Sequence, residues 1–425
     1  MPKYIIEGGR PLSGTVTPSG NKNEALPVIA ACLLSAEPIT LHRVPKIQDV
    51  LTLCDILIDL GAHVEWISNE SLVVHAKNIT HTHPKEELCS KIRAAILLIG
   101  PLLGRFGSVT LSPPGGDVIG ARRIDTHFEG LTALGAKLEW NHVIEGKASR
   151  PTGADIILDE PSVTATENII MMAVLCEGTT IIHNAASEPH VVGLCEMLNS
   201  MGSKISGIGS NRLEIAGVSK LKGTTYEIGP DFMEVGSYLC LGAIGKGKIR
   251  IENLRVSDLR FALKTWQRIG ICPVIGTDWL EIDGTVPLTM ANDISGRIGT
   301  IYSGPWPAFP TDLMSVTITA ATQASGTIIF FEKMFEGRMF FTDKLINMGA
   351  NIVLCDPHRI VVTGPFPLFA STLSSPDVRA GMAMIMAACI AKGTSIIDNI
   401  YQVERGYSLV QEKLISLGAA IKRIP

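Results

Sequence analysis

Basic residues in this chain gather at places where a helix would not ordinarily want them. Lys22-Asn23 opens the first of six strongly apolar helical segments, and Lys91 and Arg93 open the second. Asp312 opens the fifth, and Asp377 with Arg379 opens the sixth. Arg122-Arg123, Arg338 and Arg405 come just ahead of amphipathic segments that end in glycine. A helix N-terminus carries partial positive charge, so Lys or Arg there opposes the dipole. Such cations are accounted for if an anion shares the space. Several of these ends brought together would form an anion-binding cleft, and arginine's forked donors suit carboxylate and phosphate.

Two further stretches could carry chemistry. Ser112-Pro113-Pro114-Gly115-Gly116-Asp117, continuing to Arg122, reads as a surface lid bearing one carboxylate. Ala308-Phe309-Pro310-Thr311-Asp312 reads as a Pro-capped entry into a helix. The only metal-like spacing, His81-x-His83, lies in a polar stretch and reads as a pair of solvated loop histidines, so no metal and no cofactor is expected.

These residues are positioned by a repeat. Six Gly residues (Gly61, Gly135, Gly202, Gly270, Gly349 and Gly418) recur 67 to 79 residues apart, each preceded by Leu, Met or Ile and ending an amphipathic stretch. The pattern predicts six helices with left-handed C-terminal caps. About twenty residues before each glycine lies a strand-like run: Ile39–Leu41, Ser108–Leu111, Thr179–His183, Lys248–Glu252, Thr327–Phe331 and Thr394–Asp398. Before each strand comes a uniformly apolar helix: Asn23–Leu34, Ile92–Leu103, Thr166–Cys176, Met233–Ile244, Asp312–Ala324 and Val378–Ala391. One unit reads helix–strand–helix–strand–strand, which makes this an α/β protein of six repeats.

Composition bounds the answer from outside. The chain has 425 residues, 46 % of them hydrophobic and 18 % charged, which excludes a disordered polymer. A net charge of −4 gives no general attraction to nucleic acid. The longest apolar runs fall short of the ~20 residues a bilayer span needs, so no membrane association is expected. Nine scattered cysteines without a CxxC pair, and no apolar signal in Met1–Gly9, point to a reduced cytoplasmic setting.

Pro18-Ser19-Gly20-Asn21-Lys22-Asn23-Glu24-Ala25-Leu26-Pro27, the Pro114–Asp125 loop, Phe309–Asp312, Phe335-Glu336-Gly337-Arg338, Asp377-Val378-Arg379-Ala380 and Glu404-Arg405-Gly406-Tyr407 together resemble the UDP-N-acetylglucosamine enolpyruvyltransferase family. The resemblance implies a two-domain inside-out α/β barrel of βαβαββ-type units, three per domain, with the active site in the cleft between them. Residues 22–229, carrying the lid at 112–122, would form one domain, and residues 1–21 plus 230–425 the other. The implied reaction moves enolpyruvyl from phosphoenolpyruvate to the 3-hydroxyl of UDP-N-acetylglucosamine, the first committed step of peptidoglycan synthesis. Those two small molecules are the expected partners. The resemblance places Lys22, Arg122 and Arg405 at the phosphate, and Arg338 and Arg379 toward the carboxylate. Asn23 would touch sugar and intermediate, and Asp312 would be the base. Asp117 takes the position of the proton-donating lid residue, cysteine in many members, with loss of sensitivity to the thiol-alkylating epoxide fosfomycin as the corollary. Arg93, Arg123, Ile124, Asp125, Thr126, His127, Ser162 and Val163 would contact the nucleotide sugar, while Met334, Glu336 and Asp377 fall in further substrate-contacting strips.

Leu97, Glu160, Thr164 and Phe232 depart from the family's usual tryptophan, lysine, glycine and arginine. They leave open a different acceptor, such as another nucleotide sugar, or a non-catalytic UDP-sugar-binding protein. The shikimate 3-phosphate branch usually has Ser after the first-helix Lys; here Lys22-Asn23-Glu24 stands instead.

Overall fold

The computed structural model describes residues 2–116 and 123–425, so that Asp117 and Arg122 lie outside the described residues. Central strands form at Ile39–His42, Ser108–Leu111, Thr179–His183, Lys248–Glu252, Gly326–Phe331 and Thr394–Asp398, matching the sequence reading to within a residue or so at each end.

The six glycines act alike. All have φ between 83° and 105°, a region that other L-residues enter only at a cost. Gly61 N–H bonds the Ile58 carbonyl and Ala62 N–H the Leu57 carbonyl, both at 2.9 Å. The same pair of bonds, three and five residues back, recurs at the other five glycines. This double closure satisfies carbonyls that a helix end leaves without donors, and it turns the chain toward the next strand.

Helices fill the interior of each unit and sheets cover its outside, the inside-out α/β arrangement. Every residue of Phe232–Ile244 is buried, and so are nearly all of Val378–Ile390. A helix apolar on all sides is stable only when surrounded by protein. Phe232–Ile244, Met314–Ala321 and Val378–Ile390 pack on one another; in the other unit the Arg93–Phe106 segment packs on both Lys22–Ala31 and Val163–Ala173. The second inner helix differs from expectation. It begins as a 3-10 stretch, Arg93–Leu98, and becomes α-helical at Ile99–Phe106. Pro101 falls in the first α turn, where its missing N–H costs nothing; a turn further into the α-helix, its ring would clash with a carbonyl of the preceding turn.

The chain divides into two compact units, residues 2–19 with 230–425 and residues 20–116 with 123–229. Among the described residues each holds three sheets, and five of the six are four-stranded. The N-terminal Lys3–Glu7 strand lies between Thr394–Asp398 and Ala420–Ile424, antiparallel to both, and completes the last repeat. Gly14–Val16 adds a parallel edge to Lys248–Glu252.

The first helix of each unit is started in the same way. Asn21 accepts from the amides of Asn23 and Glu24, and Asp231 from those of Met233 and Glu234. The third residue of each helix is a buried glutamate. Glu24 accepts from Gly229 N–H at 3.2 Å and Tyr226 O–H at 2.8 Å, and Glu234 from Ser19 N–H at 2.7 Å and from the Lys413 ammonium. Gly20 is required by close packing, because a Cβ there would stand 1.7 Å from the Arg43 carbonyl oxygen.

Candidate active site

In the unit containing the C-terminus, the Thr311–Leu313 turn lifts Asp312 to the head of an inner helix. Arg338 Nη2 donates to Asp312 Oδ1 at 2.8 Å, and Arg379 Nε donates to Oδ2 at 3.0 Å. Arg338 Nη1 lies 3.8 Å from Asp377, whose carboxylate caps the last inner helix by accepting from the Arg379 and Ala380 amides. Both arginines are buried. Burial works against the Arg379 charge, but Asp312, Tyr407 and Asp231 outweigh it and hold its pKa above the ordinary guanidinium value. Arg338 Nε and Arg379 Nη1 are buried donors with no acceptor among the described residues. An unmet charged donor is costly in a protein interior, so a group of this kind suits an anionic ligand.

Arg405 is buried at the end of the short Tyr401–Glu404 helix, and its Nη1 donates to Gln402 at 3.2 Å. Met334 and Glu336 are exposed on the segment that leads to Arg338. These residues and the Asp312 group belong to one unit.

The other unit gathers a second set. Lys22 Nζ sits 2.7 Å from Asp49, with both side chains largely buried. Asn23 follows it, and Pro27 cannot supply the N–H that would bond the Asn23 carbonyl within the helix. Arg123 is exposed, 3.1 Å from Asp125 and 3.5 Å from Asp159. Its carbonyl accepts from Arg93 at 3.5 Å. Ile124 and Asp125 begin the next helix, and Thr126 O–H donates to Asp159 at 2.7 Å.

His127 is fully buried. Its Nδ1 accepts from Asn168 Nδ2 at 2.9 Å, so its Nε2 carries the proton toward Thr164 Oγ1 at 3.1 Å. Desolvation, with help from Arg93, pushes its pKa down to about 3. It is therefore a neutral, fixed donor and not a proton shuttle near neutrality. Ser162 and Val163 are half-buried at the start of Val163–Ala173, three residues earlier than the periodicity suggests.

Three of the departures from the family pattern have local reasons. Thr164 supplies the hydroxyl that faces His127. Leu97 is buried in the inner-helix core, and Phe232 is buried edge-on against Trp306, with ring centroids 6.0 Å apart. Nothing comparable accounts for Glu160.

The sequence reading missed Asp49, Asp159 and Asn168, which set Lys22, Thr126 and His127. Isolated Asp and Asn residues carry no spacing signal, and only the fold brings them to their partners.

A helix-filled, six-repeat chain with a carboxylate between two buried arginines defines the class of the enolpyruvyl transferases. Accordingly, it matches the EPSP synthase (3-phosphoshikimate 1-carboxyvinyltransferase) family over residues 6–414. In fold it is similar to the enolpyruvyl transferase NikO from Streptomyces tendae, at 23 % identity and a TM-score of 0.89, over 100 % of this chain and 99 % of that one. The EPSP synthase from Acinetobacter baumannii aligns over the whole of both chains at 17 % identity and a TM-score of 0.77. In sequence it is far nearer to proteins named UDP-N-acetylglucosamine 1-carboxyvinyltransferase. It is 53 % identical to that of Borrelia garinii over 100 % of this chain and 99 % of the relative, and 51 % identical to that of Treponema denticola over 99 % of each. The chain belongs to the UDP-N-acetylglucosamine 1-carboxyvinyltransferase family.

Proposed function

We propose that the protein transfers enolpyruvyl from phosphoenolpyruvate to the 3-hydroxyl of UDP-N-acetylglucosamine, releasing phosphate and opening peptidoglycan synthesis in the cytoplasm. The observation that carries this reading is the Asp312–Arg338–Arg379 group, a base-type carboxylate beside buried guanidinium nitrogens, Arg338 Nε and Arg379 Nη1, that have no acceptor among the described residues. No helix among the described residues is long and apolar enough to cross a membrane.

Phosphoenolpyruvate carries close to three negative charges, and the reading assigns its carboxylate to Arg338 and Arg379. Lys22, Arg122 and Arg405 take the phosphate. Asp312 accepts the proton of the acceptor hydroxyl while its oxygen bonds C2, and Asp117 delivers a proton to C3. The tetrahedral intermediate then loses phosphate, and C3 gives up a proton to restore the double bond. The same cations stabilise the charge on the departing phosphate. Asn23 contacts sugar and intermediate. Arg93, Arg123, Ile124, Asp125, Thr126, His127, Ser162 and Val163 hold the nucleotide sugar, with His127 keeping one hydrogen-bonding state throughout. Met334, Glu336 and Asp377 line the remaining substrate contacts. None of these steps calls on a metal or cofactor.

Phosphate release from phosphoenolpyruvate, measured with and without UDP-N-acetylglucosamine, tests the reading. Release that needs this sugar nucleotide supports it; release that is indifferent to it, or that prefers shikimate 3-phosphate, refutes it.

A further inference from the structure

Comparison of the six repeats isolates one residue that the mechanism does not use. Where the chain leaves a central strand, four repeats place a non-glycine residue in the left-handed region: Arg43, Asn184, Asn253 and Asn399, with φ between 56° and 58°. Asn184 and Asn399 use that position to donate to the carbonyls of Leu158 and Ser375, just past the parallel edge strand of their own sheets. The second and fifth repeats break the pattern, with Ser112 and a glutamate at the equivalent positions, and the fifth puts a titratable side chain there. That glutamate is Glu332, which is not left-handed and is completely buried.

Among the described residues Glu332 has neither lysine nor arginine for a partner, and its carboxylate is instead filled by neutral donors. Oε1 accepts from the amides of Met334 at 2.8 Å and Phe335 at 3.3 Å, and Oε2 accepts from Thr311 Oγ1 at 2.7 Å. Its backbone is fixed as well: its N–H donates to the His358 carbonyl at 2.8 Å, and His358 Nδ1 donates to its carbonyl at 2.7 Å. Sequestering a carboxylate among neutral donors is costly unless each bond is well made, and here each end of the carboxylate grips a different segment. One is the Thr311–Leu313 turn that carries Asp312. The other runs through Met334 and Phe335 to Arg338.

Those two segments are otherwise joined by the Asp312–Arg338 contact. That contact is the one the reaction weakens, because Asp312 takes up a proton and Arg338 also serves the substrate carboxylate. We infer that Glu332 is a positioning residue for the transfer: it keeps base and guanidinium in register while their own contact weakens. The inference rests on the enolpyruvyl-transfer reading.

Three variants test it, with steady-state kinetics and thermal melting measured on each. Thr311→Val removes only the hydroxyl that joins Glu332 to the Asp312 turn and leaves both amides capped. It should lower kcat on the order of tenfold, since a displacement of ~1 Å at a reacting group costs up to ~100-fold. KM for both substrates and the melting temperature should stay near wild type. Glu332→Ala should lose more activity and also melt lower, and Glu332→Gln, which can still accept from the amides, should recover most of both. A Thr311→Val kcat within about twofold of wild type, or a Glu332→Gln no better than Glu332→Ala, overturns the inference. Amide exchange separates this failure from failure of the parent reading. Faster exchange at Met334 and Phe335 in Glu332→Ala shows the clamp whether or not the wild type turns over, whereas an inactive wild type refutes the transfer itself.

Discussion

Asp312→Asn is the substitution whose effects on stability, binding and turnover should point in different directions. Asp312 neutralises two buried guanidiniums through bonds of 2.8 and 3.0 Å. An asparagine keeps the shape, and its carbonyl can still accept from one arginine, but its amide nitrogen faces the other. One charge-assisted bond is lost, about 1.5–3 kcal/mol. That is less than the ~3–5 kcal/mol expected when a buried pair loses a partner outright. Stability should therefore fall by about 2–3 kcal/mol, and Asp312→Ala should fall further. Phosphoenolpyruvate binding should move the other way. In the wild type the substrate carboxylate must share the arginines with Asp312, and two like charges ~5 Å apart repel by about 3 kcal/mol at an effective dielectric near 20. Even a third of that strengthens binding about fivefold. Turnover should drop by at least ~100-fold, because the proposed base is gone. Calorimetric titration with phosphoenolpyruvate, melting with and without it, and phosphate release read the three effects. Weaker phosphoenolpyruvate binding by a folded Asp312→Asn, or turnover within a few fold of wild type, would refute the assignment of Asp312 and the two arginines.

Other expectations follow from the same structure. Gly202→Ala meets nothing within 4 Å and should cost only the left-handed penalty, about 1–2 kcal/mol, whereas Gly61→Ala puts a Cβ 2.7 Å from the Asn78 carbonyl oxygen and should cost clearly more by urea unfolding. Equal losses would count against the contact argument. His127 binds its proton far more weakly folded than unfolded, so the unfolded state gains protons first as pH falls. Stability should be full above about pH 6.5 and decline toward pH 3 with a slope approaching ~1.4 kcal/mol per pH unit from this residue, and His127→Gln should flatten that slope. Asp117→Cys should stay active and become covalently inhibited by fosfomycin while the unmodified protein does not, since a carboxylate is the weaker nucleophile toward an epoxide. Time-dependent inactivation of the unmodified protein would remove Asp117 from its assigned role.

The repeat was legible because its determinants are local. A glycine that must be left-handed, an apolar stretch with a 3–4 spacing and a short alternating strand each declare themselves within about twenty residues. The six glycines and six central strands lie where the sequence put them for that reason. Helix starts were less legible: Val163–Ala173 begins three residues ahead of its apolar stretch, and Pro101 acts through ring sterics, which hydrophobic periodicity does not register. The Lys3–Glu7 strand is completed by residues some 400 positions away, a pairing that no local pattern reveals. At the candidate site the cations were visible as charges in the wrong place on apolar helices. Several residues that hold the site's side chains in place were not. Asp49, Asn168 and Glu332 look ordinary in sequence and become informative only through burial.

The central claim is that carbon from phosphoenolpyruvate ends as an enol ether on the sugar 3-oxygen of UDP-N-acetylglucosamine. Incubating the protein with 13C-labelled phosphoenolpyruvate and the sugar nucleotide, then reading the product by NMR, tests it directly. The account predicts a labelled vinyl carbon correlated to the sugar H3 proton, formed in step with phosphate. Label remaining in phosphoenolpyruvate, appearing as pyruvate, or attached at another position would contradict it.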